Sequence, residues 1–215
     1  MQPFTRITGA AVPMLDDDLN TDQMAPIQMS RELKPDYADL LFKRQRVNPD
    51  GSLVAGHILN RPQYKTPAIF VGGRNFGCGS SREAAVWCLM AVGVRCVVAR
   101  SLADIFRENC LQNGVLPIEL TDKEADAFEA RVLAADGREL FTVDLITRTI
   151  SGPNSGAAGG GDISFQISDS DRTRLMEGLD DIGYTMKHLA EIETWERGTA
   201  KARPWAQSMR DKRQV

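Results

Sequence analysis

The chain has 215 residues, 42% of them hydrophobic, and a formal net charge of −3. It is long enough to bury one sizeable core, as a single domain or as one domain with an appendage. Without a basic excess it has no field to attract nucleic acid or anionic lipid, and no run reaches the ~18 apolar residues of a membrane-spanning helix.

Before its first apolar stretch the N-terminus carries only Arg6, and Thr8, Gly9 and Pro13 interrupt that stretch, so a secretory signal is not expected and the location reads as cytoplasmic. Residues 1–60 look irregular, with the acidic "LDDDLNTDQMAP" and the Asp50-Gly51 turn signal. From residue 68 the pattern becomes regular. "AIFVGG" reads as a buried strand, residues 81–92 as a helix closed by Gly93, and "RCVVAR" as a second buried strand. A short helix over 102–114 and a third strand, "VLPIEL", follow. This alternation predicts an α/β fold with a parallel or mixed sheet covered by helices.

Thr121 and Glu124 form the spacing of a capping box, which opens a helix over 123–136. Residues 141–150 and 163–167 read as two strands of one hairpin, joined by the glycine-rich "SGPNSGAAGGGD". That loop lacks the Lys-Ser/Thr of a phosphate loop and is read as a flexible connection. Residues 170–198 predict two helices, and 199–215 a basic, loosely ordered tail.

Cys78, Cys88, Cys96 and Cys110 match neither paired CxxC motifs nor a ferredoxin-type run. They are read as reduced thiols, with Cys88 and Cys96 packed in the core. His57 and His188 are given structural roles, and Trp87 and Trp195 packing roles.

The most informative stretch is "RNFGCGSSREAAVWCL", residues 74–89. Read as a strand-to-helix connection, residues 77–80 present backbone N–H groups at a positive helix end, which attracts carboxylate or phosphate. The glycines permit close approach, and Arg82 adds a bidentate clamp for a carboxylate. The following helix is apolar nearly all round, so only its mouth is expected to be exposed. A plain helix cap, with Ser80 or Ser81 as cap and Glu83 completing it, fits these residues equally well.

Four motifs in order decide further: "NTDQMAP", "NFGCGSSRE" after a buried strand, "SLADIFRENCLQNGVLPI" and "GLDDIGYT". From about residue 12 to 195 the chain resembles the small subunits of 3-isopropylmalate dehydratase, the swivelling domain of the aconitase family. The resemblance implies a β/β/α swivelling domain with a C-terminal helical extension, over residues 1–198. It also implies a heteromeric hydro-lyase that converts 2-isopropylmalate to 3-isopropylmalate by dehydration and rehydration, in leucine biosynthesis. The implied partner is a large subunit that holds a [4Fe–4S] cluster, with no metal on this chain, and the substrate is a small dicarboxylate.

By the same resemblance, Ser80 is the base, acting as an alkoxide, and Asp22 helps to position the catalytic groups. Gly79, Ser81 and Arg82 bind substrate, and Gln112 and Asn113 lie on the ligand side. The chain also departs from its relatives. Ala84 stands where they usually carry histidine, Val86 where they carry proline, and "TDQMAPI" where "TDAIIPK" is common. The arginine-threonine pair of their specificity loop has no clean match in "SRELKPDYADLL"; Arg31 and Lys34 are the candidates to replace that arginine. A related hydro-lyase for a citraconate- or dimethylmalate-type acid, and a non-catalytic dicarboxylate-binding module, are the alternatives.

Overall fold

The computed structural model describes residues 1–27, 35–153 and 161–206. Arg31, Lys34, most of the glycine-rich loop and the last nine residues lie outside them. Two four-stranded sheets organise the described residues. The first is parallel, with β2 (Ala11–Met14), β3 (Ile69–Gly72), β4 (Cys96–Ala99) and β5 (Leu116–Glu119) in that order. The second is antiparallel, with β1 (Arg6–Gly9), β6 (Phe141–Asp144), β7 (Thr149–Ser151) and β8 (Ile163–Ser164).

Alternate residues of the parallel sheet serve two cores, as a strand's two-residue period requires. Val12, Phe70 and Val97 join a cluster with Ala85, Cys88 and Leu89 of helix α4 (Ala84–Ala91). Ala11, Ile69, Val71, Cys96 and Val98 join another with Phe128, Phe141, Val143 and Ile150. One face of the parallel sheet thus packs on α4 and the other on the antiparallel sheet together with the helix Asp122–Ala135, the β/β/α arrangement expected, with buried strands that read as continuous apolar runs.

Five expectations are corrected. Residues 1–60 are not wholly irregular, because 6–14 supply the first strand of each sheet. These strands are four residues long, and Pro13 interrupts the apolar signal. It is tolerated because β2 is an edge strand, as Pro117 is in β5 at the other edge. Residues 141–150 are a complete hairpin, in which the Asp144 carboxylate accepts from the N–H groups of Ile146 (2.8 Å) and Thr147 (3.0 Å) to close the turn. The later segment adds only the two residues of β8.

Among the described residues six α-helices precede β6: α1 (Thr21–Met24), α2 (Tyr37–Leu40), α3 (Lys43–Arg46), α4 (Ala84–Ala91), α5 (Asp104–Asn113) and α6 (Asp122–Ala135). The third correction is that α4 begins at Ala84 and not at Ser81. Its cap position is Glu83, without a side-chain cap bond, so neither serine is a cap. Helix α6 has the predicted Thr121–Glu124 capping box.

Contacts divide the chain into two units, Met1–Gly178 and Leu179–Val215. The first ends with α7 (Asp169–Glu177), and the second contains α8 (Asp181–Met186) and α9 (Leu189–Ala202), so three helices form where two were expected. Trp195 is 68% exposed and is not a packing residue. No helix among the described residues is long and apolar enough to cross a membrane.

Candidate active site

The loops that leave β2, β3 and β4 meet at the carboxyl end of the parallel sheet, the usual ligand position of such sheets. Loop 73–83 lies between its neighbours. On one side Asp18 N–H donates to Arg74 O (2.9 Å), Gly77 N–H to Leu19 O (2.8 Å) and Thr21 N–H to Cys78 O (2.8 Å). On the other, Phe76 N–H donates to Ser101 O (3.0 Å), Ala103 N–H to Phe76 O (3.0 Å) and Asn75 N–H to the Ser101 hydroxyl (2.8 Å). The loop is held without secondary structure of its own.

Two glycines allow that path. Gly77 has φ +81°, and a Cβ there would fall 2.2 Å from Cγ of the buried Phe106. Gly79 has φ +108° and would place a Cβ 3.3 Å from that of Asn20. Both positions lie in the region that L side chains avoid.

Opposite the loop, Asn20 and Gln23 form a reciprocal capping box: Asn20 Oδ1 accepts from Gln23 N–H (2.9 Å), and Gln23 Oε1 from Asn20 N–H (2.8 Å). The box fixes the first turn of α1 and hence Thr21 and Asp22. The Thr21 hydroxyl lies 2.9 Å from Ser80 Oγ, and the Asp22 carboxylate pairs with the Arg82 guanidinium. The backbone N–H and Nε–H of Arg82 also point at Ser80 Oγ, each at 3.4 Å. The half-buried Ser80 oxygen thus faces three groups able to donate to it.

Behind the loop, Asn109 Nδ2 donates to Ser81 O (3.3 Å). Asn113 Nδ2 donates to Asn109 O and to the Glu83 carboxylate, while its Oδ1 accepts from Trp87 Nε1 (3.0 Å). Asn113 therefore buttresses the loop, whereas Gln112 donates to Glu108 on its own helix. Trp87 is 38% exposed and sits edge-on to Tyr37.

Gly79, Ser80, Ser81, Arg82 and Asp22 are therefore neighbours. Sequence reasoning missed Thr21 and Asn109. Thr21 lies inside a quoted motif, but nothing in the spacing links it to a serine 59 positions away.

The cysteines do not suit cluster ligation. Cys88, Cys96 and Cys110 are buried, and burial pushes all three thiols up, that of Cys88 to about 12. Ligation needs thiolates. Among the described residues no group of three or more His, Cys, Asp or Glu is placed to hold a metal ion. Among the described residues, two surface clefts of about 330 and 460 Å³ are lined by other side chains.

The aconitase C-terminal domain family matches residues 1–123. With this layering and this loop, the class is an aconitase-type swivelling domain. The 3-isopropylmalate dehydratase small subunit of Dinoroseobacter shibae is 42% identical over 206 residues, 95% of this chain and 100% of its own length. That of Brucella canis is 42% identical over 207 residues, 96% of this chain and 100% of its own. A crystal structure of 3-isopropylmalate dehydratase LeuD from Methanocaldococcus jannaschii superposes with a TM-score of 0.61 at 24% identity. It covers 88% of this chain and 98% of that one, and supports the fold. The chain belongs to the family of 3-isopropylmalate dehydratase small subunits, which are subunits of a hydro-lyase of leucine biosynthesis.

Proposed function

We propose that this chain works with a separate large subunit to interconvert 2- and 3-isopropylmalate, and that Ser80 is the base. The reaction needs a proton removed from a carbon next to a carboxylate and a Lewis acid for the departing hydroxyl. A [4Fe–4S] cluster on the large subunit would supply the second, since this chain's buried cysteines do not suit one.

The steps assigned to this chain are the proton transfer and the binding of the acid. Ser80 as alkoxide takes the proton and becomes the hydroxyl, while the C–H electron pair becomes the new double bond. A serine hydroxyl is a very weak acid in water, so the alkoxide needs donors that are already aimed at it. The Thr21 hydroxyl and the two Arg82 N–H groups surround that oxygen. Asp22 pairs with one end of the Arg82 guanidinium, and the half-exposed remainder is free to take a substrate carboxylate. Ser81 and the backbone at Gly79 line the same face, and Arg31 and Lys34 are proposed for the distal part of the substrate.

The observation that carries the reading is the convergence on Ser80 Oγ, in a chain 42% identical, nearly end to end, to small subunits of that name. The test is an anaerobic assay of this chain with the cluster-loaded large subunit of the same organism. 2-Isopropylmalate, 3-isopropylmalate, citraconate and dimethylmalate are compared. Activity that requires both chains and favours the isopropylmalates is expected, with Ser80→Ala lower by about 10²–10⁴-fold. A formed complex inactive on all four acids overturns the function, and full activity of Ser80→Ala overturns the base.

A further inference from the structure

Among the described residues two polar residues are buried, Thr21 at 4% exposure and Asn109 at 8%. Both spend hydrogen bonds on consecutive residues of one loop. Asn109 holds the Ser81 carbonyl, which fixes backbone. Thr21 touches the Ser80 hydroxyl itself. A buried hydroxyl without a partner costs free energy, so its pairing is a structural requirement in any reading. The question is whether this pair does more than satisfy it.

We infer that Thr21 is a positioning residue for the reaction: its hydroxyl donates to Ser80 Oγ and stabilises the alkoxide. The argument is geometric. At 2.9 Å the Thr21 oxygen is the nearest partner of Ser80 Oγ, since both Arg82 donors are at 3.4 Å. An alkoxide only accepts, so deprotonation of Ser80 fixes the direction of this bond, with the threonine proton pointing at Ser80. No proton leaves Thr21; the bond strengthens as charge develops on its neighbour. The hydroxyl does not have to be recruited. Thr21 is the first residue of α1, held by the Asn20–Gln23 box, and its own N–H is tied to Cys78 O, two residues before Ser80. Both oxygens are thus fixed by the same pair of loops, and being buried, the threonine hydroxyl has no water to turn towards.

This inference rests on Ser80 being the base. The test uses the assembled two-subunit enzyme and the variants Thr21→Val, Thr21→Ser and Ser80→Ala. Loss of an aimed donor to a developing oxyanion lowers kcat by about 10²–10³-fold. Thr21→Val is expected to fall in that range with KM little changed, and its rate to rise only at higher pH than in the wild type. Thr21→Ser, which keeps the hydroxyl, is expected to recover most of the rate. In a Ser80→Ala background, Thr21→Val is expected to cost nothing further, because the group it serves is gone. A merely structural role predicts a loss in both backgrounds and an unchanged pH profile. Thr21→Ala is measured alongside, so that a packing defect peculiar to valine does not decide the result.

Wild-type enzyme active with Thr21→Val and Thr21→Ala within a few-fold of it, on an unchanged pH profile, overturns this inference and leaves the proposed function standing. A wild-type complex inactive on every acid overturns the proposed function, and this inference falls with it.

Discussion

Substituting Gly77 by alanine tests whether the loop path is fixed by packing as well as by backbone freedom. The residue has φ +81°, and a Cβ there would lie 2.2 and 2.5 Å from Cγ and Cδ1 of Phe106. A left-handed backbone costs an L residue about 1–2 kcal/mol. Phe106 is 1% exposed, so its ring has no solvent to move into, and overpacking of this kind adds about 1–3 kcal/mol. The sum is about 2–5 kcal/mol, which for a chain of this size lowers Tm by roughly 4–20 °C. Gly51→Ala is the matched control, because its φ is +85° with nothing within 4 Å of the added Cβ, so it carries only the backbone cost. Thermal unfolding of wild type and both variants, followed by circular dichroism, separates the two contributions. Gly77→Ala should melt below Gly51→Ala by the packing share and, in the two-subunit assay, lose activity through displacement of Ser80. A Gly77→Ala variant that melts with or above Gly51→Ala would refute the packing argument.

Two further predictions concern titration. In the native chain at about pH 8, near the ordinary thiol value, a colorimetric thiol reagent should label Cys78 quickly and Cys88, Cys96 and Cys110 slowly, since burial pushes the latter three up; all four should react in denaturant, and rapid native labelling of several would contradict the buried cores. Burial, aided by the Arg46 charge, lowers the His57 pKa below its usual 6.5, so the folded state disfavours the protonated ring. The stability this contributes is complete above that unfolded value and is lost as pH falls through the window below it, down to the folded value. His57→Asn should therefore flatten the Tm-against-pH curve over that window, and an unchanged curve would refute the assignment.

The buried strands were legible because continuous apolar runs such as "AIFVGG" and "RCVVAR" have one physical explanation, burial on both faces. The N-terminal strands were not legible, because four residues and one proline do not establish a period. The onset of α4 was misplaced for a related reason. "SSRE" has the composition of a helix start, yet tertiary hydrogen bonds hold 79–83 outside the helix, and a cap built from local residues cannot reveal that. The residues brought to the site followed the same division. Ser80, Ser81 and Arg82 are adjacent in sequence and were found together, and Asp22 was reached by resemblance. Thr21 and Asn109 were missed, because a threonine in a helical first turn and an asparagine in a helix have ordinary local readings. Only the folded neighbourhood distinguishes them.

That neighbourhood bears on how the site holds its geometry. A lone loop of alternating glycine and serine would sample many conformations, and each of them would have to be frozen when substrate and partner close over it. Here the ordering is done by the fold. The loops after β2 and β4 hold residues 74–78 with backbone bonds on both sides, Asn20 and Gln23 fix the turn that carries Thr21 and Asp22, and Asn109 holds Ser81 from behind. With Ser80 as the proposed base, binding energy would then be available for the transition state instead of for arranging the donors. In the proposed two-subunit enzyme this surface would supply the orientation, and the large subunit would supply the exclusion of water.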